Sequence, residues 1–443
     1  MKMMITHAST KNHHYDNITS MSNTNDTSVT GNHDEMNENA NNDAMNKRTH
    51  GQWFTDGNPF YMDIFMEWFT EAYNALREEK HSVKETDDAR ILMCEPYAGA
   101  LGLIRHLNET LIAHNHADMI NRLSWAAFDI QPVTDDKRHV NNVSIMQADT
   151  LLSIPGGEYD MIITNPPYLG RSSASRRHIP FKDGGNHDYT DLYQVALNTC
   201  LNHAEYIAAI VPESIITSSF SKQRCSHIIS LKAGLFTDTD CPVALVLFNP
   251  DEDMFGNNDG RMTMIHDNKG ACIGSLSELE TISDELLRIN SKTSMNASIT
   301  DKNMKTMHDD SNPSVIWSDN PMLTDMNGFH LVFNDKHGDV GLHGVDSSRS
   351  ADIRFVRGDD DDISPDSIKV SSRSITRISR SDGLMITDAQ IQAANRILNE
   401  WRLRTNDVFM TAFKGVRKDG KYRRRLDYNN AGRILMKAII ENN

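Results

Sequence analysis

Apolar residues are spaced differently in the first fifty residues and in the two hundred after them. Residues 1–50 are rich in Asn, Thr, Ser, His and Met and show no apolar period, so they are expected to form a disordered, low-complexity tail. Met45, just ahead of the first patterned stretch, is a candidate start. FYMDIFMEWFTEAYNAL (60–76) then repeats apolar residues at helical spacing. Beyond it, short apolar runs alternate with helical segments. RILMCE (90–95), SWAAFD (124–129), VSIMQAD (143–149), YDMIIT (159–164), YIAAIVP (206–212) and CPVALVLF (241–248) read as buried strands. LGLIRHLNETLIAH (101–114) and DLYQVALNTCLNHA (191–204) read as helices. Strands apolar on both faces and interleaved with helices predict an α/β fold around a parallel sheet, with ligands bound beyond the C-terminal strand ends. Residues 251–320 are polar and rich in Asn, Asp, Met and Ser, as in a linker or insertion. Residues 321–443 hold further short apolar runs and the acidic run Asp359–Asp362, and are expected to form a second domain.

The polar residues fall where such a sheet would bind something. The first four strands end at Glu95, Asp129, Asp149 and Asn165, so successive strands deliver an acid or amide to one rim. Carboxylates there suit a ligand with ribose hydroxyls and an amino group, which are hydrogen-bond donors. Gly99 and Gly102 let the chain pass close to that ligand where a helix starts. A single acid at a strand tip commonly caps a helix; four in strand order point to a ligand.

The fourth strand runs into Asn165-Pro166-Pro167-Tyr168. Proline cannot donate to a sheet ladder, so the pair ends the strand and stiffens the turn beyond it. An exocyclic amine on a nucleobase is a poor nucleophile, because its lone pair is delocalised into the ring. Acceptors aimed at its N–H bonds, the Asn165 side-chain oxygen and the Pro166 carbonyl, would stabilise positive charge growing on that nitrogen. Tyr168 supplies a ring on which a planar base can stack. Phe236 is either a core residue or a second stacking face.

Together these motifs resemble the S-adenosylmethionine-dependent DNA adenine-N6 methyltransferases, in the gamma arrangement with target recognition after the catalytic domain. GQWFT (51–55) is similar to that family's N-terminal cofactor motif, which implies Phe54 and Thr55 at the methionine end. EPYAG implies Glu95 near the cofactor's amino group, with Gly99 in the turn. FDIQP implies Asp129 on the ribose hydroxyls and Ile130 against the adenine. QAD implies Asp149 at the adenine amine. Asn165, Pro166, Pro167 and Tyr168 match the catalytic motif, with Asn165 also beside the cofactor, and AAIVPESII and TDCPVALVLF match later elements. The resemblance covers residues 51–248. It implies a Rossmann-like class I methyltransferase domain over 51–250 and a target-recognition domain over 321–443. It also implies double-stranded DNA as substrate, a cognate restriction endonuclease sharing the site, and a monomer.

Charge bears on the partner. The chain carries a net −16, yet from Lys369 onward sixteen Lys/Arg face seven Asp/Glu, a local +9 that leaves −25 elsewhere. Such a segment is either a solvated basic face or a polyanion-facing one. Lys414, Arg417, Arg423 and Arg424 cluster around Tyr422 there, and Arg171, Arg176, Arg177 and Lys182 come after the Asn-Pro-Pro-Tyr turn. All eight are candidates for phosphate contact. Five scattered cysteines without a CxxC pair predict a reducing cytoplasm and neither a zinc site nor a disulfide framework. No signal-peptide layout or membrane-length apolar window is visible. RNA and protein-glutamine methyltransferases share the Asn-Pro-Pro-Tyr chemistry and are the alternative, as is a non-catalytic DNA-binding specificity module. Against these stand the intact motif with its three carboxylates, a first motif less glycine-rich than in glutamine enzymes, and a large C-terminal region.

Overall fold

A computed structural model describes residues 55–84, 90–132, 140, 143, 145–236, 241–250, 262–289, 315–317, 329–358 and 375–442. The expected tail, Met45, Phe54 and the acidic run 359–362 lie outside them. The strands are β1 (Ile91–Glu95), β2 (Leu123–Asp129), β3 (Ile145–Gln147), β4 (Tyr159–Thr164), β5 (Ala204–Pro212), β6 (Cys225–Ser230), β7 (Val243–Phe248), β8 (Met264–His266) and β9 (Cys272–Ser275). They form one sheet in the order β3-β2-β1-β4-β5-β7-β6-β8-β9. The first five in that order run parallel, and β7 is antiparallel to both β5 and β6. This is a Rossmann-like, doubly wound α/β sheet with β7 as its antiparallel insertion. Strand order reverses on either side of β1, so β1 and β4 flank the crevice where such sheets bind ligands.

Two cores sandwich the sheet because strand residues alternate faces. Met93, Met161, Ile163, Ala208, Ile210, Leu245 and Leu247 face helix α1 (Asp63–Lys84), which buries Phe65, Trp68, Phe69, Tyr73 and Leu76 at three- and four-residue spacing. Helix α2 (Gly102–Ala113), followed by the short α3 (Ala117–Ile120), adds Leu103, Leu107 and Leu111 to that side. Cys94, Ile162, Ile207, Ala209 and Val246 face the other way. There Tyr193 and Leu197 meet them from α5 (Leu192–Leu201), which comes after the one-and-a-half-turn α4 (Arg171–Arg176).

Two stretches differ from the sequence reading. CSHIIS forms β6, a strand its polar residues hide, so β7 is not the last strand of the sheet. Part of the expected linker is regular: β8 and β9 extend the sheet, and α6 (Leu276–Leu287) leaves it. Leu276 and Leu279 pack in the catalytic core, whereas Leu287 packs in the next one, so α6 spans both. That next core lies between an antiparallel sheet and helices α7 (Asp388–Thr405) and α8 (Tyr428–Glu441). The sheet comprises β10 (Val315–Trp317), β11 (Leu331–Phe333), β12 (Val340–His343), β13 (Arg354–Arg357) and β14 (Ile375–Arg380), in the order β10-β11-β14-β12-β13. Trp401 is fully buried there and donates its Nε1–H to Ser283 of α6 at 2.8 Å. A hairpin of β15 (Thr411–Val416) and β16 (Tyr422–Arg425) lies between the two helices in sequence. Among the described residues no helix is long and apolar enough to cross a membrane.

Candidate active site

The tips of β1 and β4 open into a cleft of about 540 Å³ lined by Thr55, Asp56, Glu95, Tyr97, Ala98, Gly99, Ala100, Gly102, Leu103, Arg105 and Asn165. Glu95, the last residue of β1, is 2 % exposed, and its Oε2 finds no hydrogen-bond partner among the described residues. Burial, with the nearby charge of Asp129 added, pushes its carboxyl well above the usual range. Asp129 ends β2 and is also buried; it accepts from the Gly99 N–H at 2.9 Å and the Gln131 N–H at 2.8 Å. Burial raises its carboxyl too, and those two N–H groups pull it partly back. Gly99 thus meets Asp129 directly, with φ at 49°, the left-handed region that glycine enters freely.

Asn165 comes just after β4 with its amide fixed at both ends. Its Nδ2 donates to Thr55 Oγ1 at 3.0 Å, and its Oδ1 lies 2.5 Å from the Tyr168 hydroxyl. That hydroxyl is also 2.7 Å from the Ile210 carbonyl, and its one proton serves one acceptor at a time. Burial holds the phenol well above its ordinary range, so it remains a donor. Pro166 is buried and Pro167 half-buried. Phe236 is 4 % exposed and stands edge-on to the Tyr168 ring at 6.4 Å, so it closes one side of the ring and does not lie parallel to it.

Thr55 sits on an irregular strap that crosses the cleft. The Asp56 and Gly57 N–H groups both donate to the Leu235 carbonyl at 3.0 Å. On the other side the strap presses on the start of α2, where a Cβ at Gly102 would stand 2.7 Å from the Thr55 carbonyl oxygen. His106, Thr110 and Asn58 tie it further along α2. Sequence patterns point to Thr55 and not to this helix face, because a lone His and Thr on an amphipathic helix carry no motif.

The remaining candidates divide. Ile130 is half-buried just past β2. Asp149 is exposed and pairs with Lys182 at 2.7 Å, joining a residue expected at the cofactor to one expected at phosphate. Arg171 donates to the Tyr189 carbonyl and to Asp183, and lies over Phe181 at 4.4 Å. Arg176 and Arg177 are exposed beside it.

The hairpin residues expected at phosphate make contacts within the chain. Arg417 binds Asp346 at 2.8 Å and Asp419 at 2.6 Å. Arg423 donates to the Asp346 carbonyl and lies over Phe413. Arg424 grips Glu213, just past β5, through two nitrogens at 2.8 and 3.1 Å. Lys414 lies on β15. Three guanidinium groups therefore fasten the hairpin to its neighbours, Arg417 and Arg424 through buried carboxylates and Arg423 through a backbone carbonyl.

Residues 101–231 match the Eco57I restriction-modification methylase family. Over 103 residues the chain is 30% identical to the modification methylase CviBIII of Paramecium bursaria Chlorella virus NC1A, a match spanning 23% of this chain and 27% of that protein. Among solved structures it is similar to the methyltransferase subunit of a type I restriction-modification system from Streptococcus thermophilus. That alignment has 15% identity and a TM-score of 0.30 over 58% of each chain. A SAM-dependent methyltransferase from Aquifex aeolicus aligns over 38% of this chain and 88% of its own, at 13% identity and a TM-score of 0.21. The chain thus spans about a quarter of the curated relative and under two thirds of the first of these structures.

Proposed function

We propose that this chain is a DNA methyltransferase that binds S-adenosylmethionine in the β1/β4 cleft and methylates the exocyclic N6 of an adenine in duplex DNA, as the modification enzyme of a restriction–modification system. The observation that carries the reading is the cleft itself. A buried carboxylate with an unpartnered oxygen, an acid on the neighbouring strand and an oriented Asn-Pro-Pro-Tyr amide meet at the point where strand order reverses. The family match over residues 101–231 takes in Asp129 and Asn165, with Glu95 just ahead of it.

The residues fit the cofactor. An unsatisfied buried carboxylate calls for a donor, and the cofactor's amino group is one; Asp129 retains lone pairs for ribose hydroxyls, and Ile130 offers apolar surface to the adenine. When bound, S-adenosylmethionine supplies an electrophilic methyl group. The protein's part is to hold the acceptor nitrogen. Asn165 Oδ1, turned away from Thr55, and the Pro166 carbonyl would accept the two N–H bonds of an extruded adenine. The nitrogen lone pair would form the new N–C bond as the methyl–sulfur bond breaks and its electron pair stays on sulfur; the positive charge growing on nitrogen would lie between these acceptors, which would bind it more tightly than the neutral amine. The N6 proton then leaves to solvent, so no strong base is needed. Exposed Arg176 and Arg177 are the groups in this loop suited to DNA phosphates.

Methyl transfer from labelled S-adenosylmethionine to mixed-sequence duplex DNA, with nucleosides separated by mass, tests the reading. N6-methyladenine that disappears in Asn165→Ala is expected. N4-methylcytosine would overturn the base and keep the chemistry. No methylated nucleoside, from protein shown to bind the cofactor, would overturn DNA as substrate in favour of RNA or a protein glutamine.

A further inference from the structure

We propose that His106, on helix α2, is a positioning residue for cofactor capture and methyl transfer that acts through the Thr55–Asn58 strap; the inference rests on the function proposed above. His106 is 7 % exposed, and its Nε2 lies 3.1 Å from the Asp56 carbonyl oxygen. A carbonyl only accepts, so Nε2 carries the hydrogen and donates it to the strap. Nδ1 lies 3.1 Å from Glu109 Oε2, one helical turn on; a carboxylate only accepts, so this contact fixes the plane of the ring when Nδ1 carries a hydrogen as well. Also one turn on from His106, Thr110 donates to the His106 carbonyl at 2.8 Å and accepts from Asn58 Nδ2 at 2.9 Å. The strap has no regular secondary structure of its own, so these bonds and the two at Leu235 hold it in register.

Register matters at Thr55. Its hydroxyl accepts from Asn165 Nδ2, and that bond turns the amide so that Oδ1 faces the opposite way. A strap displaced by about half an ångström would let the amide rotate and would move Thr55 and Asp56, which line the cleft. His106 touches none of the reacting groups; it sets where Thr55 stands. Removing this buried donor takes away one of the bonds that tie the strap to α2 and favours its release.

His106→Leu keeps the volume and removes the donor, whereas His106→Gln keeps an N–H able to reach the same carbonyl. For the full chain, we expect His106→Leu to raise the KM for S-adenosylmethionine roughly tenfold and to lower kcat, with the KM for DNA unmoved. His106→Gln should recover most of both. Gly102→Ala, which pushes the Thr55 carbonyl away while keeping the His106 side chain, should raise the same KM. Calorimetric affinity for S-adenosylmethionine separates the two levels of inference. His106→Leu protein that binds it as wild type does, or a defect that His106→Gln fails to recover, overturns the positioning role and leaves the proposed function standing. Wild-type protein that binds S-adenosylmethionine yet methylates no DNA overturns the substrate and leaves the strap argument intact.

Discussion

Buried carboxylates occur at two places in this molecule, and their surroundings are opposite. At the strand tips, Asp129 is buried with backbone N–H groups for partners, and Glu95 is buried with its Oε2 unpartnered among the described residues. Beneath the hairpin, Asp346 is 0 % exposed and Glu213 5 %, yet Asp346 meets Arg402 and Arg417, and Glu213 meets Arg424. An anion taken from water is costly unless it is paired. Where the pairing is complete inside the chain, the carboxylate holds structure together. Where it is incomplete, the chain carries an unfavourable group that a ligand's donors can satisfy. Burial alone does not tell a binding acid from a fastening one; the identity of its partners does.

Breaking the paired side should have the largest effect. Asp346→Asn removes the buried anion that Arg402 and Arg417 share, leaving Arg402 on Asp407 and Arg417 on Asp419, and stability should fall by about 3 kcal/mol, read from the urea-unfolding midpoint. A shift below a quarter of that would mean the arginines relax into water and the centre fastens little.

Asp191 belongs with the unpaired group. It caps α5, accepts the Leu169 N–H at 3.0 Å just past Tyr168, and has its carboxyl pushed up to about 6 by burial against the pull of backbone N–H groups. Between about pH 4 and about pH 6 the folded chain keeps a proton that the unfolded chain has released. Stability therefore falls as pH rises through that window, by up to about 3 kcal/mol from this group. Asp191→Asn, which keeps an accepting oxygen, should gain on wild type steadily from about pH 4 to about pH 6 in thermal melts. Parallel profiles would show that the cap is better solvated than its surroundings indicate.

The smallest expected change sharpens the contrast most, because two readouts move in opposite directions. Glu95→Gln replaces a buried carboxyl whose Oε2 lacks a partner among the described residues, so the unfolding midpoint at neutral pH should hold or rise. Affinity for S-adenosylmethionine should fall, since losing a hydrogen bond to a charged group, about 1.5–3 kcal/mol, is roughly 10- to 100-fold in Kd. If stability and affinity fell together, Glu95 would be a fastening residue like Asp346.

The catalytic sheet was legible because its strands are apolar on both faces and its helices amphipathic: YDMIIT is β4 residue for residue, and LGLIRHLNETLIAH brackets α2. β6 escaped notice because Ser226, His227 and Ser230 interrupt its apolar run, although Ile228 and Ile229 are fully buried. Strand-tip residues could be read because parallel topology sends every C-terminal strand end to one rim. The strap's anchors could not, since which side chain of α2 meets Asp56 depends on a crossing that no local pattern encodes. Neither could the hairpin's arginines, because sequence shows the cations while their anions, Asp346 and Glu213, lie 71 and 211 residues from Arg417 and Arg424.

That last separation also has a consequence in time. As the chain is made, Glu213 leaves the ribosome 211 residues before Arg424, an interval of roughly 10–40 s at typical elongation rates. The parallel strands are complete well within it. Until the hairpin arrives, Glu213 has only Ser230 for a side-chain partner among the described residues, and the rim it occupies stands in water. The nascent protein is thus a finished sheet with its latch open, and a chain released early would keep it so.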